Sequence, residues 1–235
     1  MTETFINQKC IKRILQDLKN IDSKLLNENN IYYYHDEENI LKGYIMIIGP
    51  SDSLYEDGYY FFEINFTNNY PFEPPKVIFR TQDGLTRFHP NLYKNGKVCL
   101  SLLNTWKGES WSSCQTLSTV LLTLVTLFTN EPFLNEPGVQ KTYKDYNDYH
   151  NIIYYKNIDH SIASYIDSNN ILDEFKVFYP IIIEKFKEKQ SDIIQRCIKK
   201  SEENVKKMNT VNIYNMFTNI DYKNLIKKIS EIKIE

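Results

Sequence analysis

The sequence predicts an α+β fold: an N-terminal helix, a four-stranded antiparallel meander, a buried central helix and a helical C-terminal extension. Three observations carry this. Apolar residues recur at spacings of three and four at the start of the chain. Four short runs of β-branched and aromatic residues then follow one another between residues 31 and 79. Helical periodicity returns from Cys114 onward.

The first element rests on Phe5, Ile11, Ile14, Leu15, Leu18 and Ile21, with Thr2 or Thr4 available as its cap and Lys9, Lys12, Arg13 and Lys19 on its polar side. The strands are IYYY, LKGYIMIIG, YYFFEINF and KVIF, separated by turn signals such as GPSDS and EDG. Between the third and fourth runs, Pro71, Pro74 and Pro75 remove backbone donors, so that connection must leave the ladder. An irregular stretch follows, and then CQTLSTVLLTLVTLF. Its Leu117, Val120, Leu121, Leu124, Val125 and Phe128 make it apolar on most faces, hence buried. EPFLNEPG ends it. The tail is helical in pattern from about Tyr146, with Pro180 expected to break or kink its middle piece.

At 235 residues the chain has room for one domain of ordinary size plus an extension, and we place the boundary between residues 1–167 and 168–235. Apolar residues at 42% and charged residues at 25% are normal globular usage. A net charge of −2 argues against nucleic acid as the main partner. No stretch approaches the ~20 apolar residues that cross a bilayer, and the opening MTETFINQKC lacks an apolar leader. The four cysteines, Cys10, Cys99, Cys114 and Cys197, form no C-x-x-C. Free thiols in a reducing compartment are expected, the cytoplasm or the nucleus. His35, His150 and His160 share no ligand spacing, so no metal and no cofactor is expected.

The stretch HPNLYKNGKVCLSL, from His89 to Leu102, holds the candidate chemistry. A catalytic thiol needs exposure, a route to the thiolate and a donor for charge on its partner carbonyl. The Asn95-Gly96 turn is expected to set Cys99 on a short extended piece at the surface and to bring the Asn91 carboxamide toward a carbonyl bound there. Chemistry alone leaves a second reading open. A lone cysteine between Val98 and Leu100 is more often a small buried hydrophobe.

Read together, YPFEPPKVIF, FHPN, NGKVCLSLL, WSSCQTLSTVLLTL and NEPFLNEPG resemble the ubiquitin-conjugating enzymes, in order, from about Thr4 to Ile166. That family carries Y-P-x-x-P-P, H-P-N, a cysteine eight residues after the asparagine, and a tryptophan before a long helix. The pattern is most similar to the large hybrid conjugating enzyme/ligase members, including the giant inhibitor-of-apoptosis type. The resemblance implies a UBC-like fold with residues 1–167 as the catalytic domain. Cys99 would accept ubiquitin or a ubiquitin-like modifier as a thioester from the activating enzyme and pass it to a lysine of a protein substrate or to a ligase. Asn91 would stabilise the oxyanion or brace the loop. Glu136 would orient the incoming amine, or is an exposed turn residue before Pro137. Lys9, Lys12 and Arg13 match where the family meets its activating enzyme, although a solvated helix face explains the charges as well.

Phe72 and Trp111 lie where ligases are read, Phe72 with the alternative of covering the core edge. His89 and Pro90 are structural beside the thiol, and Ser101, in place of the aspartate of C-L-D, marks the hybrid subtype. Trp111-Ser112-Ser113-Cys114 replaces the frequent W-S-P-A, with Cys114 expected as a packed helix-start residue and Cys10 and Cys197 as inert helical cysteines. Tyr70–Pro71 is a candidate cis bond. Two other functions stay open: a non-catalytic binding variant of the fold, and a cysteine hydrolase pairing Cys99 with His150 or His160. The charged, amphipathic tail, from Lys176 to Lys207, can pack on the domain, dimerise or recruit a substrate.

Overall fold

The structure is a computed structural model that describes residues 7–203 and 205–234. Helix α1 (Gln8–Lys19) begins at Asn7, whose side chain accepts from the Lys9 amide at 3.0 Å. The expected caps Thr2 and Thr4, and Phe5, lie outside the described residues. A short α2 (Ser23–Glu28), capped by Asp22, leads into the sheet. Strands β1 (Ile31–His35), β2 (Lys42–Ile48), β3 (Tyr59–Asn65) and β4 (Lys76–Phe79) pair antiparallel in chain order, the expected meander. The register sets Tyr33 opposite Ile45, Met46 opposite Phe61, and Ile64 opposite Val77.

Alternation along β2 and β3 divides the apolar side chains between two cores. Ile45, Ile47, Tyr60, Phe62 and Ile64 face inward, to the core that α3 (Leu117–Val125) closes with Leu117, Val120, Leu121 and Leu124. Helix α3 starts on a capping box between Thr116 and Thr119. Tyr44, Met46, Ile48, Tyr59 and Phe61 point the other way. There they meet Phe175, Phe178, Ile182 and Phe186 of the C-terminal extension. Both faces are buried, which is why these strands read as continuous apolar runs instead of alternating with polar residues.

Helix α4 (Tyr146–Lys156) continues into a π-helical turn (Asn157–Ile162) and a 3-10 turn (Ala163–Ile166). Pro180 does not break a helix. It sits in the first turn of α5 (Tyr179–Glu202), where its missing N–H costs nothing, and the residues before it form a 3-10 helix, Asp173–Phe178. Arg196 on α5 clamps the β2–β3 turn, pairing with Glu56 at 2.7 Å and Asp57 at 2.6 Å. The extension also contains a feature absent from the sequence reading. Strands β5 (Met208–Val211) and β6 (Met216–Asn219) form a hairpin before α6 (Tyr222–Glu231). The tail therefore packs on the domain. No helix among the described residues is long and apolar enough to cross a membrane.

Candidate active site

The loop from His89 to Cys99 closes on itself. Its mid-point is a turn in which the Gly96 amide donates to Tyr93 O at 2.9 Å, with Gly96 at φ +87°, a conformation that favours glycine. Gly96 O accepts from the Phe79 amide at 2.8 Å, which ties the turn to the free edge of β4. At its ends, Asn91 and Cys99 exchange two hydrogen bonds. The Cys99 amide donates to Asn91 O at 2.8 Å, and Asn91 Nδ2 donates to Cys99 O at 2.6 Å. The carboxamide thus holds the cysteine's own carbonyl, the bracing arrangement, while Asn91 Oδ1 is buried without a partner.

His89 lies beneath this loop, fully buried. Its Nδ1 accepts from the Asn91 amide at 3.0 Å, and its Nε2 faces the Asn135 carboxamide at 3.4 Å. Burial, with the charge of Arg87 adding to it, pushes the imidazole down to about 3, so it stays neutral. Pro90 is buried and its carbonyl accepts from Arg87 Nη2.

Cys99 is not at the surface. Only 2% of it is exposed, and Sγ donates to Thr105 O at 3.4 Å. The expectation failed because residues 100–110 curl back over the thiol. A 3-10 turn, Ser101–Leu103, ends at Asn104 in the left-handed region, φ +55°. The Thr105 hydroxyl then accepts from the Leu100 amide at 2.9 Å and reaches Val98 O at 2.8 Å. Gly108, at φ +139°, lies so close to Ser101 that a Cβ there would come within 2.9 Å of the Ser101 Cβ. Residues 104–110 are themselves exposed, so the cover is one layer thick.

Other expected site residues divide. Phe72 is 74% exposed, and Lys9 and Lys12 are exposed on α1. Arg13 is not a free cation. It pairs with Asp17 at 2.9 Å and donates to Ser113 O at 2.8 Å and Gln115 O at 2.5 Å, anchoring α1 to the entry of α3. Trp111 is buried rather than presented to a partner, and its indole donates to Pro71 O at 2.7 Å. It thereby braces the turn after the cis Tyr70–Pro71 peptide. Cys114 is exposed, not packed, because it precedes α3 in a turn. Cys10 and Cys197 are buried in α1 and α5.

Glu136 follows a 3-10 turn, Pro132–Asn135, and its Oε2 accepts from the Tyr214 hydroxyl at 2.5 Å. Sequence reasoning missed Tyr214, Arg87, Thr105 and Asp17. Asp17 left a signal, since it stands three residues after Ile14 on the buried face of α1. There it accepts from the Tyr70 hydroxyl and from the Leu117 amide at 3.2 Å. The other three left none. No group of three or more His, Cys, Asp or Glu side chains able to hold a metal occurs among the described residues.

A family model described as ubiquitin-conjugating enzyme matches residues 13–161, the span from α1 to the π-helical turn. The chain belongs to the ubiquitin-conjugating enzyme family. It is 38% identical over 136 residues to ubiquitin-conjugating enzyme E2 Z of Danio rerio, covering 57% of this chain and 41% of that protein. It is 40% identical over 162 residues to the probable ubiquitin-conjugating enzyme protein 17 of Caenorhabditis elegans, covering 66% of this chain and 22% of that one. It is 37% identical over 140 residues to the human dual E2 ubiquitin-conjugating enzyme/E3 ubiquitin-protein ligase BIRC6, covering 56% of this chain and 3% of that protein. The chain thus spans less than half the length of each of these relatives. The extension from Asp173 onward lies outside the family match, yet its Phe175, Phe178, Ile182 and Phe186 pack on the second face of the sheet.

Proposed function

We propose that the protein carries ubiquitin, or a ubiquitin-like modifier, as a thioester on Cys99 and transfers it to a substrate lysine or a ligase. The observation that supports this is the reciprocal pair between Asn91 and Cys99, which fixes the cysteine backbone within the connection from β4 to α3. In the first step the Cys99 thiolate attacks the thioester carbonyl of the modifier on the activating enzyme. A carbon–sulfur bond forms to Cys99, and the activating enzyme's thiolate leaves. In the second, an amine nitrogen bonds to the thioester carbon, the carbon–sulfur bond breaks, Cys99 leaves as thiolate, and the proton shed by the nitrogen ends on water, leaving an amide. Thiol exchange of this kind needs no resident metal or cofactor.

On this reading the Sγ–Thr105 contact must open before either step. Residues 104–110 swing outward, and the Asn91–Cys99 pair keeps the backbone in place while they do. The thiol's present partner is a carbonyl, and His150 and His160 bond elsewhere: His150 Nδ1 to Tyr146 O at 2.7 Å, His160 against the Phe88 ring. That geometry disfavours a cysteine hydrolase. The covered thiol is the one feature that favours a non-catalytic variant. Exposed Phe72 adjoins Pro71, which Trp111 holds, so Phe72 and the exposed Ser112–Cys114 segment form one patch suited to a ligase. Exposed Lys9 and Lys12, without Arg13, remain for the activating enzyme. Four free cysteines suit the cytoplasm or the nucleus.

Incubation with activating enzyme, ubiquitin and ATP tests the reading. An adduct that disappears with reductant and is absent from Cys99→Ala is the expected result. Failure to load with ubiquitin and with every related modifier tried would establish the non-catalytic variant instead.

A further inference from the structure

The β5–β6 hairpin belongs to the core that holds the candidate site, not to the layer formed by α5 and α6: Val211, Tyr214 and Met216 pack into it. Helix α4 and its N-cap residue Asp145 pin it. Asp148 accepts from the Thr210 amide at 3.0 Å and pairs with Lys206, while Asp145 accepts from the Asn212 amide at 2.9 Å. Its tip reaches the candidate site. Lys94, in the loop leading to Cys99, donates to Asn215 O at 3.2 Å. The Arg87 guanidinium lies between the Tyr93 ring, at 3.8 Å, and the Tyr214 ring, at 4.4 Å. The Tyr214 ring also packs edge-on against Phe133.

A phenylalanine would satisfy every one of those ring contacts. The Tyr214 hydroxyl has a separate purpose, and its partner is Glu136 Oε2. Glu136 is half-exposed, and Oε1 takes no hydrogen bond from a described residue. Glu136 is joined to the thiol loop through its neighbour Asn135, which faces His89, which in turn holds the Asn91 amide.

We propose that Tyr214 is a positioning residue for lysine attack: it fastens one carboxylate oxygen of Glu136 so that the other faces the amine arriving at Cys99. This rests on the reading of Cys99 as an acyl carrier. The amine nitrogen bonds to the thioester carbon, the carbon–sulfur bond breaks, and Cys99 departs as thiolate. The proton shed by the nitrogen passes to Oε1 and on to water. Burial pushes the Tyr214 phenol well above its ordinary value, which keeps it a donor throughout the working range.

The test uses the full chain with Tyr214→Phe, Glu136→Gln and the double variant. Each is loaded with ubiquitin, loading is stopped, and loss of the thioester is followed with and without free lysine. Tyr214→Phe is expected to load and to hydrolyse in water like the parent, but to lose roughly tenfold in discharge to lysine, the size of a lost hydrogen bond to a charged group. In the Glu136→Gln background the same change is expected to have no further effect, because the two act as one unit. A purely structural role would alter loading and hydrolysis in proportion, or add to the Glu136→Gln loss, and either outcome overturns the proposal, as does parental discharge to lysine. A parent chain that forms no Cys99 adduct at all overturns the reading of function, and the positioning role with it.

Discussion

Replacing Thr105 by valine keeps the shape of the side chain and removes its hydroxyl. That hydroxyl makes one accepted and one donated hydrogen bond across the cover: it accepts from the Leu100 amide at 2.9 Å, and its single proton is shared between Val98 O at 2.8 Å and Leu100 O at 3.1 Å. Each is worth about 0.5–1.5 kcal/mol net, so the closed form loses about 1–3 kcal/mol. At about 1.4 kcal/mol per factor of ten, the open population rises roughly 5- to 150-fold. The Leu100–Thr105 bond is exposed to solvent, which places the effect toward the lower end. Labelling by a chromogenic disulfide reagent reads this population if the exposed Cys114 is first replaced by serine. Cys10 and Cys197 do not interfere: both are buried, and burial raises both thiols, Cys197 to about 12. The expected result is faster labelling of Cys99 in Thr105→Val, with a melting temperature lower by about 2–4 °C for each kcal/mol lost. An unchanged labelling rate would refute the idea that residues 104–110 are what covers the sulfur.

Three further outcomes follow from the same geometry. Below its unfolded value of about 6.5 the unfolded chain protonates His89 while the folded chain does not until about pH 3. Its contribution is therefore present above pH 6.5 and lost as pH falls, by about 1.4 kcal/mol per unit. His35, His150 and His160 are lowered too, each mainly by burial, so denaturation curves should show steep acid loss that is shallower by about one proton in His89→Gln; an unchanged slope would contradict the assignment. Asn91→Ala should slow loading and discharge together and cost about 1 kcal/mol in stability by denaturant titration; loss confined to discharge, with stability intact, would return the carboxamide to the oxyanion role. Arg196→Met leaves Glu56 and Asp57 without their partner and should destabilise the chain by about 2 kcal/mol; a neutral result would mean that α5 is held by its apolar face alone.

The meander was legible because Gly and Pro turns punctuate strongly apolar runs, and β1 to β4 fall on the expected segments. What covers their second face was not legible, since a strand buried on both sides carries no mark of its neighbour. The β5–β6 hairpin escaped because its four-residue strands, MNTV and MFTN, are too short to display a period. The positive-φ Asn215 in its turn was the one local sign. Helix α2, with six residues, escaped for the same reason. In the candidate site, spacing along the chain brought Asn91 and Cys99 together, but exposure is decided by tertiary contacts. Cys99 was expected outside and lies under Thr105; Arg13 and Trp111 were expected free and are tied to backbone carbonyls. Cys114, expected inside, lies exposed.

One measurement bears most directly on the whole account: peptide mapping by mass spectrometry of the ubiquitin adduct formed by Cys99→Lys, in which a transferred acyl group would be trapped as a stable amide. Acyl exchange at this position requires the branched peptide to carry its modification on residue 99. A modification found on Cys114 or on other lysines only, with residue 99 unmodified, would contradict it.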